Sequence, residues 1–272
     1  MRRAPAAAKL NLALVVGPHR EDGRHEVTTV LQKLDLGDRL AVRRSTRMNI
    51  GGFAGDTLVR RAVESVADAA RVEPTLTVRI DKRIPVAAGL GGGSSDAGTA
   101  LRLANDLLVH PLPPDRMHEL ARRLGSDVPF FLTDGPQLGQ GDGSDLTPLG
   151  LPQDYWVVLV LPHGQRKRST ASVYRDFDRR SGHLGYDERR ATLLGTLARV
   201  RRPRDLAALP TNDLATSPLS GLMLELGAFR ADVTGAGPVV YGLFHHRRTA
   251  AAARRALGPR GRTWLTVPAW YG

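Results

Sequence analysis

Residues 85–101 read PVAAGLGGGSSDAGTAL, and four glycines in five positions followed by two serines make a poor core segment but a good anion cradle. Without Cβ atoms, Gly89, Gly91, Gly92 and Gly93 can adopt positive φ and let backbone N–H groups approach a ligand directly. Ser94 and Ser95 then open a helix, because Ala97, Ala100, Leu101, Ala104, Leu107 and Leu108 recur at helical spacing. A helix N-terminus presents unpaired N–H groups and the positive end of its dipole, so a nucleotide phosphate fits there. A flexible turn before an ordinary helix is the other reading of the same letters. Two other phosphate motifs are excluded. No Gly, four residues, Gly-Lys-Ser/Thr run occurs, and Ser94 stands where a dinucleotide fingerprint needs its third glycine.

Charged and polar side chains suited to chemistry lie elsewhere. In residues 9–17, KLNLALVVG, strand alternation puts Leu10, Leu12, Leu14 and Val16 on one face and Lys9, Asn11, Ala13 and Val15 on the other. Lys9 and Asn11 therefore point the same way, either as part of a site or as the solvent face of an edge strand. Asp127 is a lone carboxylate in Ser126-Asp127-Val128-Pro129, where it is either a reacting group or a turn former before a strand. His25 follows the turn signal Glu21-Asp22-Gly23 at the start of another strand.

The elements that must position these groups alternate between strand and helix. Val27 and Leu31 continue the strand from His25, and Leu40 and Val42 mark a separate short one. Asp56 precedes an amphipathic helix with Leu58, Val59, Ala62, Val63, Val66 and Ala69 on one face. Leu76, Val78 and Ile80 form a strand that feeds the glycine loop, and the helix after the loop ends before Pro111. A further helix carries Met117, Leu120, Ala121 and Leu124, closed by Gly125, and residues 139–146 read as a hairpin or loop.

The apolar run at 155–161 predicts a strand buried on both faces and opens a second lobe. Ser169 and Thr170 precede a short helix holding Val173, Tyr174 and Phe177, and further helices are expected around 193–200 and 219–226. The C-terminal part reads as strand, glycine turn at 234–237, strand, helix and strand, a ferredoxin-like split βαβ unit. On its own that turn is an ordinary hairpin connection. The expected fold class is α+β with two lobes, residues 1–150 and 151–272.

Composition narrows the partners. The 272 residues carry a formal charge of +12, mostly arginine, since lysine occurs only at Lys9, Lys33, Lys82 and Lys167. Such a balance attracts anions, but the arginines are scattered and not interleaved with aromatics, so polyphosphate substrates are expected in preference to nucleic acid. Cysteine is absent, which removes disulfides and thiolate metal sites. No secretory h-region follows Met1-Arg2-Arg3 and no run reaches the length of a membrane span, so a soluble cytoplasmic protein is expected.

The Pro-x-x-x-Gly-Leu-Gly-Gly-Gly-Ser-Ser run resembles the ATP-binding motif of the GHMP small-molecule kinases. Together, AKLNLAL at 8–14, DGRHE at 22–26, the glycine run, LGSDVPFFL at 124–132, STASVYRDFD at 169–178, NDL at 212–214 and VTGAGPVVYGLF at 233–244 resemble one GHMP family, in its order and along nearly the whole chain. That family is the 4-diphosphocytidyl-2-C-methyl-D-erythritol kinases of non-mevalonate isoprenoid biosynthesis.

The resemblance implies a two-lobed GHMP kinase fold and transfer of the ATP γ-phosphoryl group to the 2-hydroxyl of the CDP-linked alcohol, with Mg²⁺ accompanying ATP. It places Asp127 as catalytic base and Lys9 as its catalytic partner. ATP would meet Pro85, Val86, Ala87, Ala88, Gly89, Leu90, Gly91, Gly92, Gly93, Ser94 and Ser95. Asn11, Arg24, His25, Thr170 and Tyr174 match substrate-binding positions, with Tyr174 as a stacking platform for the cytosine. The chain departs from the family at Arg24, where tyrosine is common, at Thr57, where asparagine is common, and in the basic run at 165–168. A guanidinium can itself stack on a ring, so Arg24 is expected to cover the base opposite Tyr174, the alternative being that it points to solvent. The alternatives are another GHMP kinase, of homoserine or mevalonate type, and a basic RNA-binding module, which would have no use for an ATP cradle.

Overall fold

Two long strands carry most of the expected site. In the computed structural model, which describes residues 1–53, 57–165 and 169–269, β1 spans Arg2–His19 and β2 spans His25–Arg44. The short strand expected at Leu40 and Val42 is the far end of β2, which contains no proline and runs unbroken through Gly37-Asp38. Asp56 and the residues Arg166, Lys167 and Arg168 lie outside the described residues. The remaining elements are β3 (Asn49–Gly51), α1 (Thr57–Ala70), β4 (Leu76–Asp81), α2 (Gly92–Asn105), α3 (Pro114–Leu124), β5 (Gln137–Gln140), β6 (Asp145–Pro148) and β7 (Trp156–Pro162). After them come α4 (Thr170–Arg179), α5 (Tyr186–Leu197), α6 (Pro218–Glu225), β8 (Arg230–Val233), β9 (Val240–Phe244), α7 (Arg247–Leu257) and β10 (Gly261–Thr266).

Contacts divide the chain into two compact units. The first comprises Met1–Ala8, Leu36–Val86 and Gly91–Asp134, and the second Lys9–Asp35, Ala87–Leu90 and Gly135–Gly272. In the first unit β2 pairs antiparallel with β4, Leu40 opposite Ile80 and Val42 opposite Val78, and β3 adds in parallel to β4. That mixed sheet is covered by α1, α2 and α3. Val59, Ala62, Val63 and Val66 of α1 meet Ala97, Ala100, Leu101 and Ala104 of α2 in one core, so the periodicity read from the sequence is the packing face. The helix after the glycine loop stops at Asn105. Leu107 and Leu108 fall in the turn beyond it, where the Leu107 N–H donates to the Ala104 carbonyl.

Beneath the first turn of α2 sits a buried ion cluster. Lys82 Nζ lies 2.5 Å from Asp38 and 2.7 Å from Asp96, both carboxylates fully buried. Burial works against the charged ammonium, but hydrogen bonds and charge from the two aspartates outweigh it, and the Lys82 pKa is raised. Asp38 also accepts from the backbone N–H groups of Arg83 and Ile84, which fixes the approach to the glycine loop.

In the second unit β2 pairs with β5, Val30 opposite Leu138, and β5 and β6 form a hairpin, the first of the two readings of residues 139–146. A separate antiparallel sheet runs β10-β7-β9-β8. Its β9 is inserted between β7 and β8, the split βαβ order predicted. Val157 to Val160 of β7 are fully buried, as their unbroken apolar run requires. The helix expected around 193–200 is α5, displaced towards the N-terminus, with Gly185 in the left-handed region just before it at φ 71°. A further apolar cluster joins Leu14, Val16 and Val27 to Val173 and Phe177, anchoring α4. The whole is α+β, and among the described residues no helix is long and apolar enough to cross a membrane.

Candidate active site

Lys9 and Asn11 are 5% and 6% exposed, so they do not form the solvent face of an edge strand. Lys9 Nζ donates to Asn11 Oδ1 at 2.7 Å, which leaves the Asn11 amide to donate to Thr29 Oγ1 at 2.8 Å. Thr29 donates its own proton to the Ala13 carbonyl at 2.8 Å, and the Asn11 N–H donates to Thr234 Oγ1 at 3.0 Å. A buried ammonium is tolerated only when its donors are used, and this network uses one and fixes the Asn11 amide orientation.

Thr234 belongs to the glycine turn that sequence alone leaves as a plain hairpin. Here its role is larger. Gly235 has φ 56°, and a Cβ on it would lie 3.2 Å from Asn11 Oδ1 and 3.6 Å from Lys9 Nζ. A Cβ on Gly237 would fall 2.4 Å from the Gly89 Cα and from the Ala88 carbonyl, so only glycine lets the two loops touch. Asn212 holds the turn, donating to the Val233 and Gly235 carbonyls at 3.0 and 2.7 Å. The sequence signal is a pair of glycine turns, but nothing local says that they meet.

The glycine loop is not uniform. Gly89 and Gly91 have φ 83° and 68°, Ala87 adopts φ 66° without being glycine, and Gly92 and Gly93 do not have positive φ. The helix therefore starts at Gly92, two residues earlier than the serines mark it. Gly91 caps α2 without any side-chain hydrogen bond, and the first intrahelical N–H bond of this end is Ser95 to the Gly91 carbonyl at 2.8 Å. Gly92, Gly93 and Ser94 thus present N–H groups that no turn of the helix accepts. A Cβ on Gly93 would meet nothing within 4 Å, so that side of the turn is open space. Ser95 Oγ is buried and has no hydrogen-bond partner among the described residues.

Asp127 stands half-exposed in the turn after α3, and the chain continues into a 3₁₀ helix, Pro129–Leu132, instead of the expected strand. Gly125 ends α3 in extended backbone, φ 164°, and not in the left-handed region, while its N–H still donates to the Ala121 carbonyl. Gly98 of α2 seats this segment. A Cβ there would approach Phe131 Cβ to 2.9 Å and the Val128 carbonyl to 3.4 Å, so the helix that carries the glycine loop packs directly on the residues just after Asp127. Lys9 falls in the second unit and Asp127 in the first.

The remaining residues sit on α4 and the β1–β2 turn. The His25 ring stacks on Tyr174, centroids 4.9 Å apart at 28°, and meets Phe177 edge-on at 5.7 Å. Thr170 is exposed in the first turn of α4, one turn before Tyr174 and so on the same side of the helix. Ser169 caps α4 by accepting from the Ser172 N–H at 3.1 Å. Arg24 engages the Asp142 carboxylate of the β5–β6 turn. Burial raises the Asp142 pKa, but bonds from Ser144 and Arg24 outweigh it and hold the pKa below the ordinary carboxylate value.

Two family models match the chain, the GHMP kinase N-terminal domain over residues 57–135 and the GHMP kinase C-terminal domain over 218–261. A 4-diphosphocytidyl-2-C-methyl-D-erythritol kinase from Anaeromyxobacter sp. strain Fw109-5 is 40% identical, over 93% of this chain and 85% of the relative. The chain belongs to the 4-diphosphocytidyl-2-C-methyl-D-erythritol kinase family. Another of these kinases, from Geobacter sulfurreducens, is 33% identical over 96% of both chains. A crystal structure of a 4-(cytidine 5'-diphospho)-2C-methyl-D-erythritol kinase superposes with a TM-score of 0.81 at 33% identity, over 99% of this chain and all of the other. A mevalonate kinase crystal structure reaches a TM-score of 0.77 at 15% identity, a likeness of fold alone. Membership of this kinase family makes the chain a GHMP kinase, with the α+β fold that its sequence motifs imply.

Proposed function

We propose that this kinase moves the γ-phosphoryl group of ATP to the 2-hydroxyl of 4-diphosphocytidyl-2-C-methyl-D-erythritol, in the cytoplasm and on the non-mevalonate route to isoprenoid precursors. The observation that carries the reading is the start of α2, which has no side-chain cap and open space beside Gly93, the form a phosphate site takes. In this reading residues 85–95 hold ATP, and the functional lobes are residues 1–150 and 151–272.

An alcohol is a poor nucleophile at neutral pH, so Asp127 takes its proton as the oxygen bonds to the γ-phosphorus and the bond to the ADP oxygen breaks. Lys9, held by Asn11, supplies positive charge for the oxygens of the transferring group. Mg²⁺ bound with ATP would offset phosphate charge. Its ligands would be mainly phosphate oxygens and water, and the buried Ser95 hydroxyl is the hard donor of α2 that fits it.

Tyr174 offers a π face for the cytosine, with His25 and Thr170 beside it and Arg24 at the rim. Base stacking is worth about 1–3 kcal/mol on truncation, so Tyr174→Ala should raise the KM for the CDP-linked substrate roughly 5- to 150-fold and leave that for ATP nearly unchanged. Steady-state kinetics in each substrate separates the two. Gly93→Val tests the cradle from the other side: its side chain enters open space, so folding should be unaffected while the KM for ATP rises about tenfold or more. An unchanged KM in the folded variant would reduce the loop to a connector.

An ADP-release assay over a panel of alcohols decides the substrate. Turnover confined to the CDP-linked alcohol supports the reading, and preferred turnover of mevalonate or homoserine ends it.

A further inference from the structure

His19, His25 and Asp178 converge where β1 ends, β2 begins and α4 closes, and phosphoryl transfer does not need them as a group. His25 Nε2 is 3.2 Å from Asp178 Oδ1, His19 Nε2 is 3.4 Å from Asp178 Oδ2, and one ligand atom from each residue lies within 4.8 Å of the others.

The hydrogen bonding of His25 gives the cluster its meaning. Its Nδ1 is 2.8 Å from the Gly17 carbonyl, and a carbonyl can only accept, so Nδ1 carries the proton. In the neutral ring Nε2 is then a lone pair. That atom is buried, on a residue only 7% exposed, and has no hydrogen-bond partner among the described residues. It faces a carboxylate oxygen, so two acceptors oppose each other, and the Asp178 contact lacks the direction of a hydrogen bond. A proton on Nε2 or a cation between them removes the conflict, and the nearby His19 nitrogen offers a cation a third ligand.

A histidine whose Nδ1–H is tied to a backbone carbonyl and whose Nε2 is bare is in the state of a metal ligand. Bonds of about 2.0–2.1 Å place tetrahedral ligand atoms roughly 3.3–3.4 Å apart. The two histidine–carboxylate separations, which run to different oxygens of Asp178, are close to this, and the three ligand atoms as a set lie within 4.8 Å, so binding would draw them slightly together. Tyr174 and Phe177 hold the His25 ring in place, whereas His19 and Asp178 are partly exposed and leave the outer side open to a cation and to water. Two imidazoles with one carboxylate favour a borderline metal over Mg²⁺ or Ca²⁺, which take oxygen ligands. We propose that His19, His25 and Asp178 form a site for a divalent transition cation of the Zn²⁺ class, with water completing its coordination.

The test uses the full, tag-free chain stripped of metal with a chelator. Co²⁺ titration should develop the visible ligand-field band of a low-coordinate site. Zn²⁺ alone, measured by competition with a chromophoric chelator, should bind one ion per chain. His19→Ala and Asp178→Asn, neither of which has a part in the proposed transfer, should each weaken Zn²⁺ by about tenfold or more. His245→Ala, whose ring stacks on Phe229 elsewhere, should bind as the parent does. Absence of stoichiometric binding overturns the site, as does equal affinity in the parent and both ligand variants when circular dichroism shows them folded.

Discussion

Asp127→Asn is expected to fold as the parent does and to lose about 10²- to 10⁴-fold in kcat, the range associated with a positioned general base. Asparagine is nearly isosteric and sits equally well in turns, so the substitution removes proton acceptance while keeping the shape of the segment. Backbone hydrogen bonds and apolar burial hold the course of that segment. The Val128 N–H donates to Gly125, the Phe131 N–H donates to Val128, and Phe130 and Phe131 bury the 3₁₀ helix. A turn-forming aspartate would show the opposite pattern, a lower melting temperature with kcat nearly intact. Measuring kcat, the KM for both substrates and the melting temperature on one preparation separates these outcomes. Near-parental turnover would take Asp127 out of the proposed mechanism.

Lys82→Met should cost about 3–5 kcal/mol of stability, the scale for breaking a buried ion pair by removing one partner. The methionine fills much the same volume, but it leaves Asp38 and Asp96 without the cation they share. Equilibrium urea unfolding at neutral pH gives the number, and a loss below about 1 kcal/mol would show that the cluster is not an energetic unit. A smaller kinetic effect should accompany it. Lys82 Nζ lies 3.5 Å from where a Cβ on Gly92 would stand, so the cluster supports the first turn of α2. If that turn binds ATP, the variant should raise the KM for ATP more than that for the alcohol.

Local periodicity and local backbone rules determined much of this protein from its letters alone. The apolar spacing of residues 57–70 specifies an amphipathic helix and its buried face, and the unbroken run in β7 specifies a strand covered on both sides. The glycines at 89 and 91 are needed where the chain turns left-handed, and the order of the C-terminal elements implies the split βαβ sheet. The motif order also led to the right kinase family, since short runs of glycine, serine and aspartate are chemical requirements written in adjacent residues.

Tertiary structure decided whatever depends on a partner distant in sequence. The burial of Lys9 and Asn11 is one case: alternation puts them on a common face, but Thr234, 223 residues beyond Asn11, is part of what covers it. Gly237 reads as one hairpin glycine among several, and its need to be glycine comes from Ala88 and Gly89 in another loop. The continuous β2 hides behind two apolar clusters that each resemble a short strand. His19 and Asp178 carry no motif at all, and only the meeting of α4 with the ends of β1 and β2 sets them beside the bare nitrogen of His25. Spacing reports which face a side chain takes, whereas burial and pairing arise from the surface that folds against that face.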